Sequence, residues 1–109
     1  MNKFRVAFDG LYQALRHQSV FVQFVFMIFA LIASFVFKFT YLENLILGLC
    51  IGLVIVTEII NTCIEKICDF MSPETDERIK LIKDMSAGAV LFAALVSLIL
   101  GLMMVINHL

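Results

Sequence analysis

Residues 45–69 read LILGLCIGLVIVTEIINTCIEKICD, and this one stretch decides the fold. Its first twelve residues, Leu45 to Val56, carry no charge and offer little but aliphatic side chains. Glu58, Asn61, Glu65 and Asp69 then follow at steps of three, four and four. Those steps place all four on one stripe of an α-helix. At about 1.5 Å per residue, the stretch can cross a hydrocarbon core of about 30 Å. Glu58 is flanked by Ile55, Val56, Ile59 and Ile60. A carboxyl at that depth costs at least about 2.5 kcal/mol, so it should face a bundle interior or a functional cavity.

Working outward, residues 20–37 contain Gln23 and Ser34 as their only strongly polar side chains, and residues 86–106 form another apolar run. Both read as membrane helices, since a helix satisfies its own backbone hydrogen bonds in lipid. Lys38 to Asn44 makes a short polar connection, with Tyr41 suited to the membrane interface. Near the N-terminus, Phe4, Phe8, Leu11 and Leu15 recur at steps of four, three and four, with Lys3, Arg5, Asp9, Gln13 and Arg16 on other faces. That pattern predicts an amphipathic helix over 3–18, lying in the interfacial plane. Pro73, after Ser72, is expected to stop the second span, leaving 70–85 as a charged cytoplasmic loop. The expected fold is all-α: one integral membrane domain over 1–109, with a surface helix and three spans at 20–37, 45–69 and 86–106.

Composition supports this reading. The chain has 109 residues, of which 62% are hydrophobic and 16% charged, with a mean hydropathy of +1.04. Soluble domains carry about 25% charged residues. A formal charge of −1 argues against nucleic acid as a partner, because phosphate binding needs a basic excess. Cys50, Cys63 and Cys68 make an odd count in apolar surroundings and read as packing residues rather than a disulfide framework. No cleavable signal is expected, for want of a small-residue cleavage motif.

Basic residues set the expected orientation. Lys3, Arg5 and Arg16 precede the first span; Lys66, Arg78, Lys80 and Lys83 lie between the second and third; only Lys38 falls on the other side. By the excess of basic residues in cytoplasmic segments, the N-terminus is cytoplasmic and the C-terminus outside.

The acidic stripe has three readings. It can be a structural seam that joins helices through hydrogen bonds. It can be a proton path, which would make the protein a small proton-coupled transporter subunit built around Glu58. Three carboxyls on one stripe repel unless cations neutralise them, however, and a divalent metal bound to polyphosphate would do so. Lys83-Asp84, at the head of the third span, is expected at the level of Glu65 and Asp69, where a lysine can hold phosphate oxygens as a point charge. Ser86, Ala87, Gly88 and Ala89 read as small residues that permit close helix packing. His17 reads as an interfacial residue.

Glu58-x-x-Asn61-x-x-x-Glu65-x-x-x-Asp69, followed by Lys83-Asp84 and Ala87-Gly88-Ala89-Val90-Leu91, resembles the signature of the prokaryotic diacylglycerol kinase and undecaprenol kinase family. The likeness covers nearly the whole chain. It implies an ATP- and Mg2+-dependent lipid kinase of the bacterial cytoplasmic (inner) membrane, a homotrimer with composite sites between subunits, acting on a lipid alcohol. Carried across, Glu58 would be the general base with Asn61 beside it. Glu65 would ligate Mg2+, and Asp69, Lys83 and Asp84 would contact the nucleotide with Glu65. The family has no glycine-rich phosphate loop, and this chain has none either. Many relatives place a glutamate as a second metal ligand where this chain has Gln18, whose amide oxygen can coordinate without the charge. Val20-Phe21-Val22-Gln23-Phe24 keeps only Phe21 of the Asn-Phe-Arg-Ile-His that often follows. The short Ser72-Pro73-Glu74 and Ala87-Gly88-Ala89 resemble the undecaprenol kinase branch.

Overall fold

The structure is a computed structural model that describes residues 2–71 and 76–109. Ser72, Pro73 and Glu74, and with them the expected helix stop, lie outside the described residues. The chain runs through α1 (Lys3–Leu15), α2 (Gln18–Phe37), α3 (Tyr41–Met71) and α4 (Glu77–Asn107). There is no strand among the described residues. Helices α2, α3 and α4 are each long and apolar enough to cross a membrane, and α1 is shorter. The all-α membrane fold is therefore the one the sequence predicts.

Local chemistry sets each boundary. Asn2 caps α1, its side chain accepting from the Phe4 amide at 2.9 Å. His17 is extended and breaks the chain between α1 and α2. The amphipathic helix therefore ends at Leu15, and Gln18 is the first residue of α2 rather than the last of α1. Lys38 closes α2 in the left-handed region, at φ 56°. Thr40 and Glu43 then start α3 reciprocally: the Glu43 amide donates to Thr40 Oγ1 at 3.2 Å and the Thr40 amide donates to Glu43 Oε1 at 2.9 Å.

One element differs from the sequence reading. Residues 77–85, assigned to a loop over 70–85, are the first turns of α4. Asp76 caps them, accepting from the Arg78 amide at 2.9 Å, and Lys80 pairs with Asp84 one turn on at 2.8 Å. Charged residues end a membrane span without ending a helix. At 31 residues each, α3 and α4 are about 46 Å long, well beyond a core of about 30 Å.

Helix α4 packs chiefly on α3, and α3 on α2, while α1 meets α2. The buried set is small. Val20 is fully buried, and Phe39, Leu47 and Met104 form a cluster at the end remote from Glu65. At that same end His108, capping α4, lies 2.7 Å from Glu43 and stacks on Phe39. Large apolar side chains such as Phe35, Leu49 and Phe92 point outward, as a lipid solvent allows. Cys50 and Cys68 are buried and Cys63 is exposed, all as free thiols. Ala87, Gly88 and Ala89 are exposed, and a Cβ added to Gly88 would meet nothing within 4 Å. The expected close packing of this small-residue run is thus not made within the chain.

Candidate active site

The α3 stripe is graded in burial. Glu58 and Asn61 are each 7% exposed, whereas Glu65 and Asp69 lie open further toward the charged end. The buried pair sits where α2 and α4 flank α3, and each half of the stripe acquires a partner from one of them. From α2, Gln23 Nε2 donates to Glu58 Oε2 at 3.5 Å, the outer limit of a hydrogen bond. From α4, Ser86 Oγ donates to Asn61 Oδ1 at 2.7 Å, and Asn61 Nδ2 in turn donates to Glu65 Oε1 at 2.9 Å. Thr62 Oγ1 donates to the backbone carbonyl of Glu58 at 3.0 Å, one turn back on the same helix.

One turn before Ser86 on α4, Lys83 Nζ lies 2.9 Å from Asp69 Oδ1. Both side chains are substantially exposed, so the pair adds little to stability. Its consequence is positional: it keeps a cation at the mouth of an otherwise acidic stripe. Asp84 points elsewhere, to Lys80, on the exposed flank of α4.

A cleft of about 550 Å³ opens between α2 and α3, lined by Gln18, Ser19, Gln23, Glu58, Thr62 and Glu65, with His17 at the break before α2. Gln18 and Glu65 therefore share one recess with Glu58. Asn61 is not among the residues lining the cleft, and its amide donates to Glu65, which is. Asp69, Lys83 and Asp84 do not line the cleft. A larger recess of about 660 Å³ near Lys38 and Asn44 lies at the other end of α2. It is mostly apolar, contains no carboxylate, and offers nothing to the chemistry of the stripe.

Two partners were not singled out from sequence as site residues. Gln23 had a signal, an isolated amide inside an apolar span. Ser86 had none beyond its size, because its role depends on which face of α4 meets Asn61.

Among the described residues no three His, Cys, Asp or Glu side chains converge closely enough to hold a metal by themselves. One exposed carboxylate, Glu65, and the Gln18 amide oxygen suit instead a magnesium that arrives on phosphates. Mg2+ is commonly bound by one or two carboxylates plus substrate phosphates and retained waters.

These features define a multi-pass helical membrane protein with a buried carboxyl and an exposed one lining one cleft near a charged end. The family model for prokaryotic diacylglycerol kinase matches residues 5–105, and the chain belongs to that family. It is a membrane lipid kinase of the diacylglycerol kinase type. No curated protein and no solved structure matches it.

Proposed function

We propose that this kinase transfers the γ-phosphoryl group of ATP to the hydroxyl of a membrane lipid alcohol, undecaprenol in preference to diacylglycerol. The observation that carries the reading is the shared cleft: Glu58 is buried in it and Glu65 is exposed along the same wall. A lipid hydroxyl can approach from the apolar side while a nucleotide approaches from water.

In this reading Glu58 takes the proton of the lipid hydroxyl, with Gln23 steadying its second oxygen. Phosphoryl transfer needs chiefly positioning and neutralisation of charge. Magnesium carried by ATP would supply that neutralisation, held by Glu65 and Gln18. Lys83 would hold ATP phosphate oxygens as a point charge, with Asp69, 2.9 Å from its ammonium, orienting it. Asp84 contacts the nucleotide from the exposed flank of α4. The charged end is cytoplasmic, in accord with the distribution of basic residues, and three copies assemble with sites shared between them. The undecaprenol preference rests on the compact Ser72-Pro73-Glu74 and Ala87-Gly88-Ala89 segments. The transporter alternative draws on the buried Glu58 alone and leaves the lysine held at the mouth of the stripe without a use.

The test is transfer of label from γ-labelled ATP, with Mg2+, to undecaprenol and diacylglycerol in parallel detergent–lipid micelles. Labelled undecaprenyl phosphate is the expected product. Label in phosphatidic acid alone would reverse the substrate assignment, and no transfer to either by folded protein would overturn the kinase mechanism.

A further inference from the structure

We propose that Ser86 is a positioning residue for Glu65, acting through the buried Asn61 amide; this rests on the reading of Glu65 as a metal ligand. The relay crosses from α4 to α3 through two hydrogen bonds, Ser86 Oγ to Asn61 Oδ1 at 2.7 Å and Asn61 Nδ2 to Glu65 Oε1 at 2.9 Å. Its polarity is forced from one end. An ionised carboxylate can only accept, so Asn61 must turn its NH2 toward Glu65 and its oxygen toward α4. Ser86, which can donate or accept, is thereby committed to donating. Accepting that proton polarises the amide and strengthens its N–H as a donor to the carboxylate.

Without the hydroxyl, Asn61 Oδ1 would be left without its partner at a residue only 7% exposed. An unpaired buried acceptor is costly, and the amide would relieve it by rotating. Rotation withdraws the N–H from Glu65, which is exposed and has no other hydrogen-bond partner among the described residues. The carboxylate would then sample orientations that do not face the cleft. Outer partners of this sort orient metal-ligating carboxylates, and their loss weakens metal affinity. A serine kept only for helix packing predicts something different: lower thermal stability with an unchanged metal requirement.

The experiment compares wild type, Ser86→Ala, Ser86→Thr and Glu65→Gln as purified full-length proteins in the same lipid micelles. Retention of Mn2+ in the presence of ATP is read by electron paramagnetic resonance, alongside the Mg2+ dependence of label transfer and the thermal midpoint. Ser86→Ala is expected to weaken Mn2+ retention and raise the Mg2+ requirement about tenfold. That shift should exceed any fall in rate at saturating metal, and Ser86→Thr, which keeps the hydroxyl, should recover most of it. If Glu65→Gln weakens retention while Ser86→Ala matches wild type or loses only thermal stability, the relay is overturned and the reading of Glu65 stands. If Glu65→Gln also retains Mn2+ like wild type, both fall together.

Discussion

Glu58 and Glu65 are two turns apart on one helix, yet only Glu58 is removed from solvent. The difference separates their chemistry. A group that takes a proton from a lipid hydroxyl must sit at lipid depth, and a group that meets a hydrated cation must reach water. Glu58→Gln keeps the size of the side chain and its place opposite Gln23, so the variant should fold while losing the base. The expected loss in label transfer is about 10²- to 10⁴-fold, with unchanged helicity by circular dichroism. Glu65→Gln should instead leave measurable transfer and raise the Mg2+ needed for half-maximal rate by about tenfold. Normal kinetics in both variants would remove the assigned roles. At this scale the sequence was most legible: the steps between Glu58, Asn61, Glu65 and Asp69 put them on one stripe, and the stripe is there. The amide of Asn61 turned toward Glu65, and the hydroxyl of Ser86 behind it, were not legible. Helical periodicity fixes a residue's own face, whereas its partner depends on the register of two helices.

At the level of elements, the membrane pattern reports where lipid ends, and the helices continue past that point. Span 20–37 nearly coincides with α2, because the His17 break and the left-handed Lys38 fall at the edges of the apolar run. For α4 the two boundaries separate, since Asp76, Lys80 and Asp84 stabilise further turns in water. The capping pair Thr40 and Glu43 was written in the sequence as Thr-x-x-Glu, and fixes the start of α3. Asp76 makes a testable case. The guanidinium of Arg78, and then the amide of the same residue, hold the Asp76 carboxyl below the ordinary value of 3.8. A lowered carboxylate contributes stability that is fully present above its unfolded value and is lost as pH falls through the folded one. The melting midpoint of Asp76→Ala should therefore lie a few degrees below wild type at neutral pH. That gap should close on the acid side of 3.8, as followed by circular dichroism in micelles; a gap unchanged by acidification would show that the cap does not act through its charge.

For the whole molecule, the decisive quantity is how little one chain encloses. Seven apolar and two polar residues are buried among the described residues, and the cleft holding Glu58 is open along the Glu65 side. Lipid can cover the outward-facing apolar side chains of α2 and α4, but it cannot complete a cleft lined by Gln18, Gln23 and Glu58 with polar groups. A neighbouring chain can, and closure by neighbours is the physical case for shared sites in the proposed trimer. Mixing tests it. Glu58→Gln carries its lesion on α3 and Lys83→Ala on α4, and each alone should be nearly inactive. If a site takes its α3 face from one chain and its α4 cation from the next, co-assembly in equal amounts should restore about a quarter of the sites by random assortment. The chains must be denatured and refolded together, since trimers mixed after folding would not exchange and so supply the control. Recovery only after joint refolding would establish that α3 and α4 of different copies meet at one site. No recovery, from mixtures shown by cross-linking to contain both variants, would mean that the Lys83–Asp69 contact within a single chain is the working one and that each copy carries its own site.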